Sequence, residues 1–234
     1  MSVGIAVQDL VAGYGETVVL DGISFEVPAG GTLAVLGRNG VGKTTLLTTL
    51  MGFTQRHRGT IALGDVAIEG VPTHRRARMG LGYVPQEREI FPSLTVEENL
   101  AVAALPGGWT TDRAFELFPG LKERRRNTGN RLSGGEQQML AIARALVGGP
   151  KVLLLDEPLE GLAPIVVEAL FEALAKIRDD TGVTMIMVEQ KAELALAFTQ
   201  DAIVLDRGRI VYRGTSAAIK SDEEMQHRLL AVSV

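Results

Sequence analysis

The run Gly37-Arg38-Asn39-Gly40-Val41-Gly42-Lys43-Thr44-Thr45 constrains this chain more than any other feature. It follows the apolar run Leu33-Ala34-Val35-Leu36 directly, and residues 44–51 read as a helix closed by Gly52. Strand, glycine loop and helix in that order form a cradle for phosphate. The glycines let several backbone N–H groups converge, and the helix N-terminus adds positive partial charge. At this spacing Lys43 reaches the outer phosphates and the Thr44 hydroxyl reaches Mg²⁺.

A second glycine motif, Leu132-Ser133-Gly134-Gly135-Glu136-Gln137-Gln138, stands far along the chain. Ser133 and Glu136 have the spacing of a capping box, and Met139, Leu140, Ala143, Leu146 and Val147 continue at helical spacing. The segment reads as a plain helix cap or as a set of exposed N–H groups for an anion, and the two roles are compatible. A third feature is Asp156-Glu157, which ends the continuous apolar run Val152-Leu153-Leu154-Leu155. Such a run is typical of a parallel strand covered on both faces, and it is expected beside the phosphate-loop strand. Asp156 would hold Mg²⁺ through its water shell, and Glu157 would polarise an attacking water. One compact chain cannot easily fold both glycine motifs onto one triphosphate, so two copies facing each other are expected.

The remaining chain frames these motifs. Its 234 residues fit one large α/β domain or two tightly joined subdomains. No apolar run approaches the roughly 18 residues that span a bilayer, and Met1-Ser2-Val3-Gly4 does not open a secretory signal. The absence of cysteine removes disulfides and thiolate metal sites, and the formal charge of -4 gives no electrostatic case for nucleic acid. Arg75-Arg76-Ala77-Arg78 and Lys122-Glu123-Arg124-Arg125-Arg126 read as solvated surface. His57, His74 and His227 show no metal-ligand spacing, and Trp109 reads as loop packing.

Residues 3–9 and 17–27 read as an antiparallel β region around Gly13-Tyr14-Gly15. Strands are expected at 60–63, 82–84 and 184–188, helices at 165–178 and 191–198, and a hairpin over 202–212. Thr95-Val96-Glu97-Glu98 is a capping box before a helix at 99–103, which Pro106-Gly107-Gly108 breaks. Strands alternating with helices argue for a mostly parallel sheet. The helical block at 87–149 reads as an insertion beside it.

From about residue 5 to residue 215 the chain resembles the ABC-type ATPases, on the phosphate loop, the Ser133-Gly134-Gly135 signature and the Asp156-Glu157 strand end. The resemblance implies a P-loop NTPase core with a mostly parallel sheet, an N-terminal antiparallel β region and an inserted helical subdomain. Residues 1–234 would then be a single nucleotide-binding domain, with 1–86 and 150–234 as core and 87–149 as the subdomain carrying the signature. It implies ATP and Mg²⁺ as ligands. ATP would contact residues Gly37 through Thr45 of one subunit, and Ser133, Gly134, Gly135 and Gln137 of its mate. Tyr14 would stack on adenine, unless it is a turn tyrosine packed on the sheet. Lys43, Glu157 and Gln190 would be catalytic. Thr44, Gln86 and Asp156 would serve the metal, with Gln86 reaching Mg²⁺ or the lytic water.

Two departures from the family pattern stand out. Ala163 occupies the place of an aspartate in Pro158-Leu159-Glu160-Gly161-Leu162-Ala163, and Gln190 that of a histidine after the second buried strand. Gln donates a hydrogen bond but carries no titratable proton at neutral pH. Gly161-Leu162-Ala163-Pro164, Val188-Glu189-Gln190 and Pro85-Gln86-Glu87-Arg88-Glu89-Ile90-Phe91 make the chain similar to the shorter ATPase of branched-chain amino-acid, or urea and amide, importers. That implies a peripheral subunit on the cytoplasmic face of the inner membrane, working as a homodimer or beside a second ATPase. Its partners would be two permease subunits and, indirectly, a solute-binding protein, with no nucleic acid. Ile90, Phe91, Leu94 and Val96 offer apolar anchors for docking. An exporter ATPase of the lipopolysaccharide-export type and a non-transport ATP switch are the other readings. A GTPase is disfavoured because no Asn-Lys-x-Asp string occurs.

Overall fold

The computed structural model describes residues 2–222 and 224; His227 lies outside them. Strands β1 (Ile5–Tyr14) and β2 (Thr17–Val27) pair antiparallel, closing at Tyr14 opposite Thr17. After β3 (Thr32–Leu36) and α1 (Lys43–Met51), the chain returns through β4 (Gln55–Leu63) and β5 (Val66–Ala67). The first sheet is antiparallel throughout, in the order β2-β1-β4-β5.

The second sheet is built from β3, β6 (Leu81–Val84), β7 (Val152–Asp156), β8 (Thr184–Val188), β9 (Asp201–Asp206) and β10 (Arg209–Thr215). Its order is β10-β9-β3-β8-β7-β6, parallel except for the β9–β10 hairpin. This corrects one expectation. Asp156 ends β7, and β8 separates β7 from the phosphate-loop strand β3. Apolar strands covered on both faces look alike, so nothing local in the chain fixes their lateral order.

Both faces of the central strands β3, β7 and β8 are dry. Leu33, Val35, Leu154, Ile186 and Val188 join one apolar cluster with α1 and the antiparallel sheet. Their alternate neighbours Ala34, Leu36, Leu153, Leu155, Met185 and Met187 join another. The period of two along each strand sends successive side chains to opposite faces. The second cluster includes α6 (Gly134–Val147), α7 (Pro164–Thr181) and α8 (Ala192–Phe198). Helices α3 (Val96–Ala101), α4 (Thr111–Leu117) and α5 (Pro119–Glu123) pack on α6, and α9 (Ser216–Lys220) sits beside α8. Trp109 packs against this cluster, with the Arg113 guanidinium 3.9 Å above its ring.

Two surface expectations are corrected by burial. Arg76, in α2 (Thr73–Met79), is only 4% exposed. Its guanidinium donates to the carbonyls of Leu50 (2.6 Å), Val71 (2.7 Å), Thr49 (3.0 Å) and Glu69 (3.1 Å). Two of these acceptors, Thr49 and Leu50, lie in the last turn of α1, where carbonyls run out of helical donors; Thr49 also accepts from the Gly52 amide at 3.0 Å. Val96 is fully buried as the first residue of α3 and cannot anchor a partner. Phe91 stays exposed, with Arg144 5.2 Å from its ring centre, and Leu94 is half-buried. Asn99 holds that loop by accepting from the Phe91 amide and donating to the Phe91, Leu94 and Thr95 carbonyls.

Candidate active site

The phosphate loop is fixed by close backbone approach. Gly37 has φ of +142°, and a Cβ there would stand 2.4 Å from the Leu205 carbonyl oxygen. Gly42 caps α1 in the left-handed region, at φ +109°, without a side-chain cap. The first N–H groups of α1 therefore have no side-chain oxygen in front of them, which leaves them for an anion. Lys43 is buried and folds back over the loop. Its Nζ donates to the carbonyls of Gly37 (2.9 Å) and Arg38 (3.1 Å) and lies 3.5 Å from Glu157 Oε1. Thr44 Oγ1 donates to Asp156 Oδ1 at 3.2 Å, across 112 positions of sequence. The loop and the β7 end thus meet although their strands are not neighbours.

Asp156 is fully buried, and Tyr83 Oη donates to its second oxygen at 3.2 Å. Burial pushes the Asp156 pKa up, while the Thr44 and Tyr83 hydroxyls work the other way. Burial and the facing Asp156 carboxylate push the Tyr83 hydroxyl up in turn. Two hard oxygen donors in contact, Thr44 and Asp156, fit the ligand preference of Mg²⁺. Glu157 sits at φ +45°, a left-handed backbone that costs a non-glycine residue about 1–2 kcal/mol. Its amide donates to the Val188 carbonyl at 2.9 Å, across the end of β8.

A cleft of about 250 Å³ opens over these groups. Asn39, Gly40, Gly42, Lys43, Thr44 and Thr45 line it from the loop, and Val19, Gln86, Glu157 and Glu160 close its rim. The Gln86 carboxamide donates to the Glu160 carboxylate. Arg88 follows in the left-handed region at φ +62°. Its guanidinium donates to Gln138 Oε1 (3.1 Å) on α6 and to the Glu160 carbonyl (3.5 Å). The segment after Gln86 is thereby tied to both the signature helix and the segment after Glu157.

The structure places the other sequence-predicted residues apart from this cleft. Tyr14 ends β1, 54% exposed, outside the residues that line it; Val19 on the adjoining strand lines it instead. Ser133 and Gly134 are exposed at the start of α6 and also lie outside the lining. The capping box is complete. The Ser133 amide donates to Glu136 Oε2 (2.7 Å) and the Glu136 amide to Ser133 Oγ (3.3 Å). Gln137 donates to the Gly129 carbonyl at 3.2 Å, and Gly135 faces Val166 of α7. Gln190 is exposed just beyond β8.

Val19, Tyr83, Arg88, Glu160 and Glu189 escaped the sequence reading. Only Glu189 carried a local signal, an acid placed directly after a wholly apolar strand. It is 2% exposed and accepts from the Leu159 amide at 3.0 Å. Burial, reinforced by the Glu157 charge, pushes its pKa up to about 7 against the pull of the facing amides.

Comparison with known proteins bears on what this cleft holds. A family model described as ABC transporter matches residues 20–160. The chain is 43% identical to the high-affinity branched-chain amino acid transport ATP-binding protein BraG of Pseudomonas aeruginosa, over 93% of this chain and 95% of that protein. It is 36% identical to a probable branched-chain amino acid transport ATP-binding protein, LivF, of Archaeoglobus fulgidus, over 95% and 97%. The lipopolysaccharide export system ATP-binding protein LptB of Escherichia coli is 34% identical, over 94% and 93%. A nucleotide-free ATP-binding cassette from an ABC transporter has the same fold, with a TM-score of 0.83 at 22% identity, covering 99% of this chain and 100% of that one.

Proposed function

The chain belongs to the ABC transporter family, as one of its ATP-binding subunits and an ATPase, and from that premise we propose that it powers uptake of branched-chain amino acids. The identity to BraG over nearly the whole chain supports the solute class. One observation carries the chemistry: Lys43, Thr44 and Glu157 line a single cleft, Lys43 meets Glu157 there, and the buried Asp156 accepts from Thr44 beneath it.

In this reading the phosphates of ATP lie on the amides of Gly40 through Thr45, with Gly37, Arg38, Asn39 and Val41 shaping the loop. Lys43 turns from its own carbonyls to the outer phosphates. Thr44, Asp156 and Gln86 would hold Mg²⁺, which would supply positive charge to offset that of the phosphates. Glu157 takes a proton from the attacking water as its oxygen bonds to the terminal phosphorus, and the bridging oxygen leaves with ADP. Gln190 donates to the terminal phosphate, and Tyr14 stacks on the adenine. Ser133, Gly134, Gly135 and Gln137 of a second subunit, identical or related, close the site from the opposite side.

Hydrolysis then loosens the pair, and the motion passes to two membrane permease subunits. Among the described residues no helix is long and apolar enough to cross a membrane; the transporter reading itself puts the chain at the cytoplasmic face, against its permease partners. The groove lined by Phe53, Tyr83, Ala103, Leu105 and Ala141 also presents Glu89 and Arg144, and Arg144 lies 5.2 Å from the Phe91 ring centre; this groove offers the docking surface. Residues 87–149 act as the arm that carries Ser133 beside the core of 1–86 and 150–234.

Reconstitution tests this. The chain would be placed in liposomes with permease subunits and a solute-binding protein of the branched-chain amino-acid class. Leucine, isoleucine or valine should stimulate ATP hydrolysis and accumulate inside. Stimulation by an unrelated solute, with none by these three, would remove the solute assignment.

A further inference from the structure

Glu189 is a buried ionisable group that hydrolysis as described does not use. Its surroundings are informative. The Glu157 amide donates to the Val188 carbonyl (2.9 Å), and the Leu159 amide donates to Glu189 Oε1 (3.0 Å). Pro158, between them, has no amide to offer. These two bonds therefore bracket Glu157, whose left-handed backbone persists only where its surroundings over-determine it. The Gln190 and Lys191 amides also favour the ionised Glu189 carboxylate. The Glu189 amide itself reaches the Val35 carbonyl at 3.4 Å, on the strand that leads into the phosphate loop. One side chain thus joins the backbone that carries Glu157 to the backbone that carries Gln190.

We propose that Glu189 is a positioning residue for ATP hydrolysis, whose carboxylate locks the Leu159 amide so that Glu157 and Gln190 are held and move as one unit. This rests on reading Glu157 and Gln190 as catalytic groups. An apolar side chain would fill the same space without desolvating a charge, but it would leave the Leu159 amide buried with no acceptor. The carboxylate is in place for its oxygens.

The test uses the full-length chain as wild type, Glu189→Gln, Glu189→Ala and each of these combined with Gln190→Ala. Steady-state hydrolysis, fluorescent ATP-analogue binding and thermal melting are measured for all. Because misplacing a reacting group by about 1 Å costs on the order of a hundredfold, kcat should fall about tenfold in Glu189→Gln and about a hundredfold in Glu189→Ala. KM and analogue affinity should stay within about threefold of wild type. In the Gln190→Ala background the Glu189→Gln loss should shrink, as expected for residues acting through one unit. Turnover within twofold of wild type in both single variants overturns the proposal. So does a loss of kcat matched by equal losses of binding and melting temperature, or strict additivity with Gln190→Ala. If Glu189→Ala does not fold, Glu189→Gln decides, since it keeps the shape and one acceptor oxygen. Failure of the underlying reading looks different: full activity in Glu157→Gln removes the catalytic assignment of Glu157 itself.

Discussion

The two glycine motifs of this chain are built in opposite ways. Around Lys43 and Thr44 the side chains are buried and answered from within: Lys43 by the Gly37 and Arg38 carbonyls and Glu157, Thr44 by Asp156. Around Ser133 the front is exposed: Ser133 exchanges bonds with Glu136 in its own helix turn, and Arg124 pairs with Glu136 at 3.4 Å from outside it. Both motifs present helix N-termini. The first is a nearly finished half-site, whereas the second is a finished cap with an open front. On the proposed reading, the half-site and the cap grip one triphosphate only when a second ATPase subunit, identical or related, supplies the cap.

Five variants sharpen or break that contrast. The largest effect belongs to the buried half-site. Glu157→Gln keeps the size of the side chain and removes the base, so phosphate release should fall by about 10²–10⁴. Bound ATP should persist, with the population shifted to a dimer in scattering or gel filtration; unchanged turnover would remove Glu157 from the mechanism. Next comes Ser133→Arg, which blocks the open front. Hydrolysis should drop by about a hundredfold or more, comparable to losing a phosphate-binding donor, while equilibrium ATP binding by the isolated chain stays as in wild type. Equal loss of both would make the signature purely structural.

A smaller effect is Ser133→Ala, which should lower stability by about 1 kcal/mol through the lost cap, read as a shift in the denaturation midpoint. A pH titration of stability adds a fourth check on the buried side. The Glu189 pKa is raised in the folded chain, by burial and by Glu157, to about 7. The folded state therefore binds this proton more tightly than the unfolded chain does. Stability from this group is full below the ordinary glutamate range and is lost as pH rises to about 7. Glu189→Gln should flatten that part of the curve, and an unchanged slope would show that Glu189 does not titrate there. Smallest of all, Gln190→His should alter kcat by only a few-fold at neutral pH and add a titration near the histidine range. A gain of several orders of magnitude would mean that glutamine cripples the native site.

Much of this contrast was legible before any coordinates. The loop from Gly37 to Thr44 follows a strand and opens a helix as its spacing demands. Both capping boxes, Thr95 with Glu98 and Ser133 with Glu136, form with reciprocal bonds. Such signals are local, set by backbone geometry within a few residues. Arg76 shows the opposite case. Its neighbours Arg75 and Arg78 suggest a solvated face, yet Arg76 turns inward because the C-terminal carbonyls of α1 lie there. Val96 reads as an anchor in the sequence because an apolar residue after a capping threonine looks the same whether it faces a partner or its own core, and only the fold shows it buried. Glu160 and Arg88 had no readable pattern at all; they matter only because the segments after β6 and β7 pass side by side.

By itself the sequence determined the chemistry available to this protein. It contains a phosphate cradle, a Mg²⁺-compatible hydroxyl and carboxylate, a candidate base and a second phosphate-type cap, each specified by bonds within one turn or one strand end. Tertiary structure alone decided who meets whom. The insertion of β8 between β3 and β7, the left-handed turn at Glu157 and the bond from Leu159 to Glu189 join residues that no short-range rule connects. Lateral strand order and buried polar pairing are settled by packing the whole sheet at once, so they have no signature in any single stretch of chain.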